Sequence, residues 1–158
     1  ARRAVVWMTG SVYGRSWEHF WPMLPWHAAL FPCALLLGKS LDVLQLGDEL
    51  ARGLGDRLER SRLLLLAIAV GLAGASVSMA GTIGFIGLIA PHAARFAVGP
   101  ASRRLLPAAA LLGGLLVLTA DLVGRTVAAP IEVPCGILIA LIGAPYMIYL
   151  LVRGSRAT

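Results

Sequence analysis

The apolar residues of this sequence come in blocks of roughly 17–20, and that length excludes most folds. The blocks run from Phe20 to Gly38, Leu63 to Ala80, Thr82 to Val98, Leu105 to Leu122 and Gly136 to Val152. A bilayer core is about 30 Å thick and a helix rises about 1.5 Å per residue, so runs of this kind read as crossings. A soluble chain would need a charged surface, whereas 58% of these residues are apolar, 14% are charged and mean hydropathy is +0.81. The expected fold is all-α, a polytopic transmembrane helical bundle with about five membrane-crossing segments. The first is interrupted by Pro22, Pro25 and Pro32, and the third carries Pro91, His92 and Arg95.

The charge pattern orients the bundle. A net charge of +6 and a pI near 10.4 are compatible with nucleic acid, but the arginines sit at span edges and do not alternate with exposed aromatics, which excludes it as a partner. With five crossings, one face holds Lys39, Arg52, Arg57, Arg60, Arg62, Arg95, Arg103, Arg104, Arg153 and Arg156; the other holds Arg15 and Arg125. Cytoplasmic loops carry the excess of Lys and Arg, so the loop after the first span and the C-terminus are expected inside. The chain opens on ARRAVVWMTG, which reads as the tail of an earlier span, so a longer protein is expected.

The opposite face has its own signature. SWEHFWPMLPWH places Trp17, Trp21 and Trp26 around the start of the first span, where indoles favour the lipid–water boundary. A short interfacial helix leading into a Pro-broken span is expected, with His19 and His27 anchoring it rather than binding metal. Cys33 and Cys135 lie in or beside apolar runs and read as small hydrophobes, and no spacing suggests a metal site. Small residues recur at Gly71 and Ala75, at Gly74 and Ser78, and at Gly81, Gly84 and Gly87 ahead of Pro91, a pattern that permits close helix packing in lipid.

Few residues carry chemistry. GKS at Gly38 to Ser40 resembles the end of a phosphate-binding loop, but Cys33 stands where the pattern needs glycine and the residues between are ALLL. Nucleotide binding by this chain is therefore excluded. Asp121 and Arg125 are four residues apart, the spacing of an intrahelical ion pair that also leaves an arginine at the outer mouth for an acidic partner. His92 has no further inward carboxylates or histidines for a catalytic metal, and a kink at Pro91 with Arg95 reaching the interface accounts for both. The charge is concentrated instead in SLDVLQLGDELARGLGDRLERSR, where Leu46, Leu50 and Leu54 recur at a four-residue interval beside Asp48, Glu49 and Arg52. Gly47, Gly53 and Gly55 break the stretch into short turns. Clustered carboxylates are unfavourable against anionic headgroups, so a cytosolic protein is the expected partner.

Four stretches, LGDELARGLG, GTIGFIGLIAPHAARFAVG, RRLLPAAALLGG and ADLVGRTVAAPIEVPCGILIALIGAPYMIYLL, together resemble the FecCD-type permeases. These are the membrane subunits of ABC importers for iron–siderophores, haem and vitamin B12. The resemblance runs from about Trp7 to Val152, and the family's roughly ten spans make this chain the C-terminal half. It implies that Leu46, Gly47, Asp48, Glu49, Leu50, Ala51, Arg52, Gly53, Leu54 and Gly55 form short coupling helices that sit in a cleft of a separate ATPase. It implies that Arg125 meets an acidic residue of a periplasmic or lipoprotein-type substrate-binding protein. A second permease subunit, identical or paralogous, completes the pathway in the bacterial inner membrane. The chain is then no enzyme and binds no cofactor; ATP and Mg²⁺ belong to the partner ATPase. An ion-coupled secondary transporter would need inward acidic or broken-helix ion sites, of which this sequence offers little beyond Asp121. A membrane hydrolase would have to rely on His92.

Overall fold

The computed structural model describes residues 9–12, 14–47, 58–127 and 133–154. Among these residues the chain forms six helices, in the order α1 (Trp17–Leu36), α2 (Gly38–Gln45), α3 (Leu58–Ala80), α4 (Ile86–Val98), α5 (Ser102–Val127) and α6 (Cys135–Gly154). Among the described residues there is no strand. The bundle is held mainly by α4 on α5, α1 on α3, and α6 on α5.

The distribution of apolar side chains is that of a protein in lipid. The buried apolar residues are mostly small: Ala34, Ala90, Ala94, Ala120 and Cys135, with Ile68 and Ile139. The large ones point outward, with Val70 70% exposed, Leu111 76% and Phe96 80%. Contiguous apolar surface of this extent has to be covered by lipid or by other protein.

Among the described residues, two helices, α3 and α5, are long and apolar enough to cross a membrane, and α1 with α2 makes a third if the bent pair is one span. By length and composition these are two or three of the about five expected crossings, and the shorter apolar helices α4 and α6 stand where two others were expected. The segment from Thr82 to Val98 is helical only from Ile86, and its 13 residues reach about 20 Å. α6 likewise contributes a shorter apolar helix, Cys135–Leu150.

The first span also differs from expectation. Pro22, Pro25 and Pro32 all lie inside one continuous helix, with no separate interfacial segment. Packing against α3 holds it together, as neighbouring helices commonly do for proline in a membrane. The break falls instead at Leu37, where α2 departs at 52°. Trp17 and Trp21 stay exposed on its first turns, and Trp17 meets Phe20 edge-on at 5.5 Å.

Glycine packing is seen at one of the expected positions, Gly71, and at Gly143, which the spacing does not single out. Gly81 is buried, has φ +74 and ends α3 by donating its N–H to Val77 O at 2.9 Å. A Cβ on Gly84 or Gly87 would meet nothing within 4 Å among the described residues. Gly87 stands four residues before Pro91, whose missing N–H would have bonded the Gly87 carbonyl. Close approach occurs at Gly71, where a Cβ would lie 2.7 Å from Leu30 Cδ1, and at Gly143, whose place is filled by Phe85.

Candidate functional site

The candidate site is the pair of ends of α5. At its first turn, the backbone N–H of Ser102 donates to Asp42 Oδ1 at 2.9 Å, and Gln45 Nε2 donates to Ser102 Oγ at 3.3 Å. Ser102 is completely buried by α2. A Cβ on Gly38 would lie 3.0 Å from Arg103 Cγ, which shows how closely α2 approaches. α2 then ends in a turn at Leu46, which is 59% exposed, and at Gly47, whose φ of +100 turns the chain away. The rest of the expected coupling stretch, Asp48, Glu49, Leu50, Ala51, Arg52, Gly53, Leu54 and Gly55, lies outside the described residues.

At the other end of α5, Arg125 Nε donates to Asp121 Oδ2 at 2.7 Å, the i,i+4 pair that the spacing predicts. Asp121 is the more enclosed partner, with 18% of its side chain exposed against 47% for Arg125. The carboxylate thus orients a guanidinium that still faces outward. Three chain segments meet beyond this end. Ser11 donates its N–H to Ala80 O at 2.8 Å, and Gly136 donates its N–H to Gly10 O at 3.1 Å. Cys135, buried in the core with Ala120 and Ile139, reaches the same Gly10 carbonyl through Sγ at 3.7 Å.

The histidines are occupied structurally. His27 Nδ1–H donates to Met23 O at 3.1 Å, while Nε2 lies 3.2 Å from Ser76 Oγ and so ties α1 to α3. His19 Nδ1 accepts from the Ser16 N–H at 3.5 Å at the start of α1. His92 packs edge-on against Phe96 and Tyr146, with ring centres 5.0 and 5.9 Å apart, an aromatic setting rather than a hydrolytic one. Among the described residues, no group of three or more His, Cys, Asp or Glu is gathered for a metal ion.

Sequence reasoning thus finds the Asp121–Arg125 pair and misses the contact of Asp42 and Gln45 with Ser102. A faint signal exists, since Leu41 and Leu44 are three residues apart just before the charged stretch. Their partner sixty residues away has no signal at all.

These features define an integral membrane helical bundle. Residues 1–153 match the FecCD transport family, and the chain belongs to that family. It is 51% identical over 153 residues to the Fe(3+)-citrate import system permease protein YfmE of Bacillus subtilis, covering 97% of this chain and 46% of that protein. The iron(3+)-hydroxamate import system permease protein FhuG of the same organism is 46% identical over 153 residues, with the same coverage. A solved structure described as an inward-facing conformation of a metal-chelate type ABC transporter superposes with a TM-score of 0.86 at 33% identity, covering 94% of this chain and 48% of that one. The chain therefore spans about half the length of the relatives it matches.

Proposed function

We propose that this chain is the C-terminal half of a permease subunit in an ATP-driven importer, and that its cargo is a ferric chelate. The observation that carries this reading is the identity of 46–51% across nearly the whole chain to permeases named for ferric citrate and ferric hydroxamate. Haem and corrinoid cargo remain within the same transport class. ATP and Mg²⁺ are handled by a partner ATPase, and a second permease and a substrate-binding protein complete the assembly. The asymmetry of basic residues supports an inner-membrane orientation in which Lys39 to Arg62 and the C-terminus face the cytoplasm. Consistent with that orientation, α2 and the arginines that open α5 lie together at one end, and Arg125 lies at the other.

In this reading, Leu46 to Gly55 meets the ATPase. Leucines supply the apolar contact, and the surrounding charges set its register. Movement there is passed to the spans, which alternate access to the pathway. The double substitution Asp48→Lys with Arg52→Glu tests it. The ATPase recovered with the purified full-length permease should fall by about tenfold while the amount of permease in the membrane is unchanged. Full recovery of the ATPase together with normal uptake would sink the assignment.

A further inference from the structure

We propose that Asp42 is a positioning residue that fastens the ATPase-facing stretch to the long helix α5, an assignment that rests on the permease reading above. The first turn of any helix leaves backbone N–H groups without intrahelical partners, and the preceding residue usually supplies a side-chain acceptor. Here that residue is Ala101, whose carbonyl accepts from Leu105 N–H at 2.9 Å but whose methyl side chain has nothing to offer the N–H groups. The acceptor comes instead from sixty residues earlier in the chain, as Asp42 Oδ1 at 2.9 Å from Ser102 N. A carboxylate at a helix N-terminus also opposes the positive end of its dipole.

The contact is not isolated. Gly38, Asp42 and Gln45 stand at spacings of four and three, which places them on one face of α2. All three address the first turn of α5: Gly38 by its close approach to Arg103, Asp42 through the Ser102 N–H and Gln45 through the Ser102 hydroxyl. Ser102 is 0% exposed, so water does not substitute for either partner there. α2 runs directly into Leu46 and Gly47, where the coupling stretch begins. On its other side, α5 runs as one helix of 26 residues, with Pro107 near its start, and carries the Asp121–Arg125 pair in its last two turns. Nineteen residues at about 1.5 Å each separate Ser102 from Asp121 by about 29 Å. A displacement of the loop is thus delivered through α2 and its carboxylate to the base of one long helix.

The test is the amount of ferric chelate transported per ATP hydrolysed, measured on the full-length permease with its ATPase and binding protein in liposomes. Asp42→Ala should still assemble with the ATPase and hydrolyse ATP, but with a transport ratio lowered about fivefold. Asp42→Asn keeps an oxygen for the Ser102 N–H and should restore most of the ratio. Gln45→Ala leaves the cap in place, should lower the ratio about twofold, and decides alone if Asp42→Ala does not assemble. A wild-type ratio in either alanine variant overturns the proposal, as do equal losses in Asp42→Asn and Asp42→Ala. Failure of the permease reading looks different, because the unmutated chain would then retain no ATPase.

Discussion

Gly136→Val is expected to lower the unfolding midpoint of the full-length permease in detergent by roughly 4–6 °C. Gly136 opens α6 where Thr9 and Gly10 cross it, and a Cβ there would run into the Thr9 carbonyl oxygen and lie 3.1 Å from that of Gly10. Neither neighbour can yield easily. Gly10 has φ +70 and is itself pressed against Thr82, whose carbonyl oxygen would be 2.6 Å from a Gly10 Cβ. Ser11, the next residue, is bonded to the end of α3. Overpacking costs about 1–3 kcal/mol and more where backbone must move, and each kcal/mol is worth about 1.5 °C in a permease about twice the length of this chain. Gly114→Ala is the control, since a Cβ there meets nothing within 4 Å and alanine favours the helix. Equal shifts in the two variants would show that residues 9–11 do not hold the outer end together.

Arg125→Glu is expected to weaken docking of the substrate-binding protein by about tenfold or more, about 1.4 kcal/mol. The substitution replaces the outward guanidinium with a charge of the same sign as the acidic residue that the proposed docking requires on the binding protein. It also places two carboxylates one turn apart, which costs the helix only about 0.2–0.5 kcal/mol. Arg125→Gln should fall between the two, and the difference should shrink as salt is raised, because the surface charge is screened. Asp121→Asn separates the roles: it removes the orienting carboxylate and leaves the positive charge. Affinity unchanged in Arg125→Glu would confine Arg125 to its pairing with Asp121.

Several elements are legible from residue type alone. α3 and α5 are visible because an apolar run of their length has one stable solution in water and lipid. The Asp121–Arg125 pair is visible because i,i+4 spacing fixes the geometry locally. Hydropathy draws α4 too long because it counts side chains and ignores backbone: Gly81 to Phe85 is as apolar as the helix itself, yet Phe85 sits at φ +65 and α4 starts after it. α2 reads as loop because Lys39 and Asp42 interrupt the apolar run, and its helical state depends on packing against α5. The small-residue spacing indicates close packing without naming a partner, so a Cβ on Gly71 would meet Leu30 while one on Gly84 or Gly87 would meet nothing among the described residues.

The non-helical passage from Gly81 to Phe85 has a consequence for which side of the bundle meets oil. Phe85 packs against Gly143, eight residues into α6, a depth of about 12 Å below the end where Gly10 and Gly136 meet. Peptide groups outside a helix therefore lie beside the interior of α6, and hydrocarbon at that depth would offer them no hydrogen bonds. Such backbone survives in a membrane only when walled off by protein or wetted by an aqueous cavity. The flank of the molecule carrying Gly81 to Phe85 is thus a seam or a water-lined wall, and the greasy perimeter lies elsewhere, on ridges such as Val70 and Leu111.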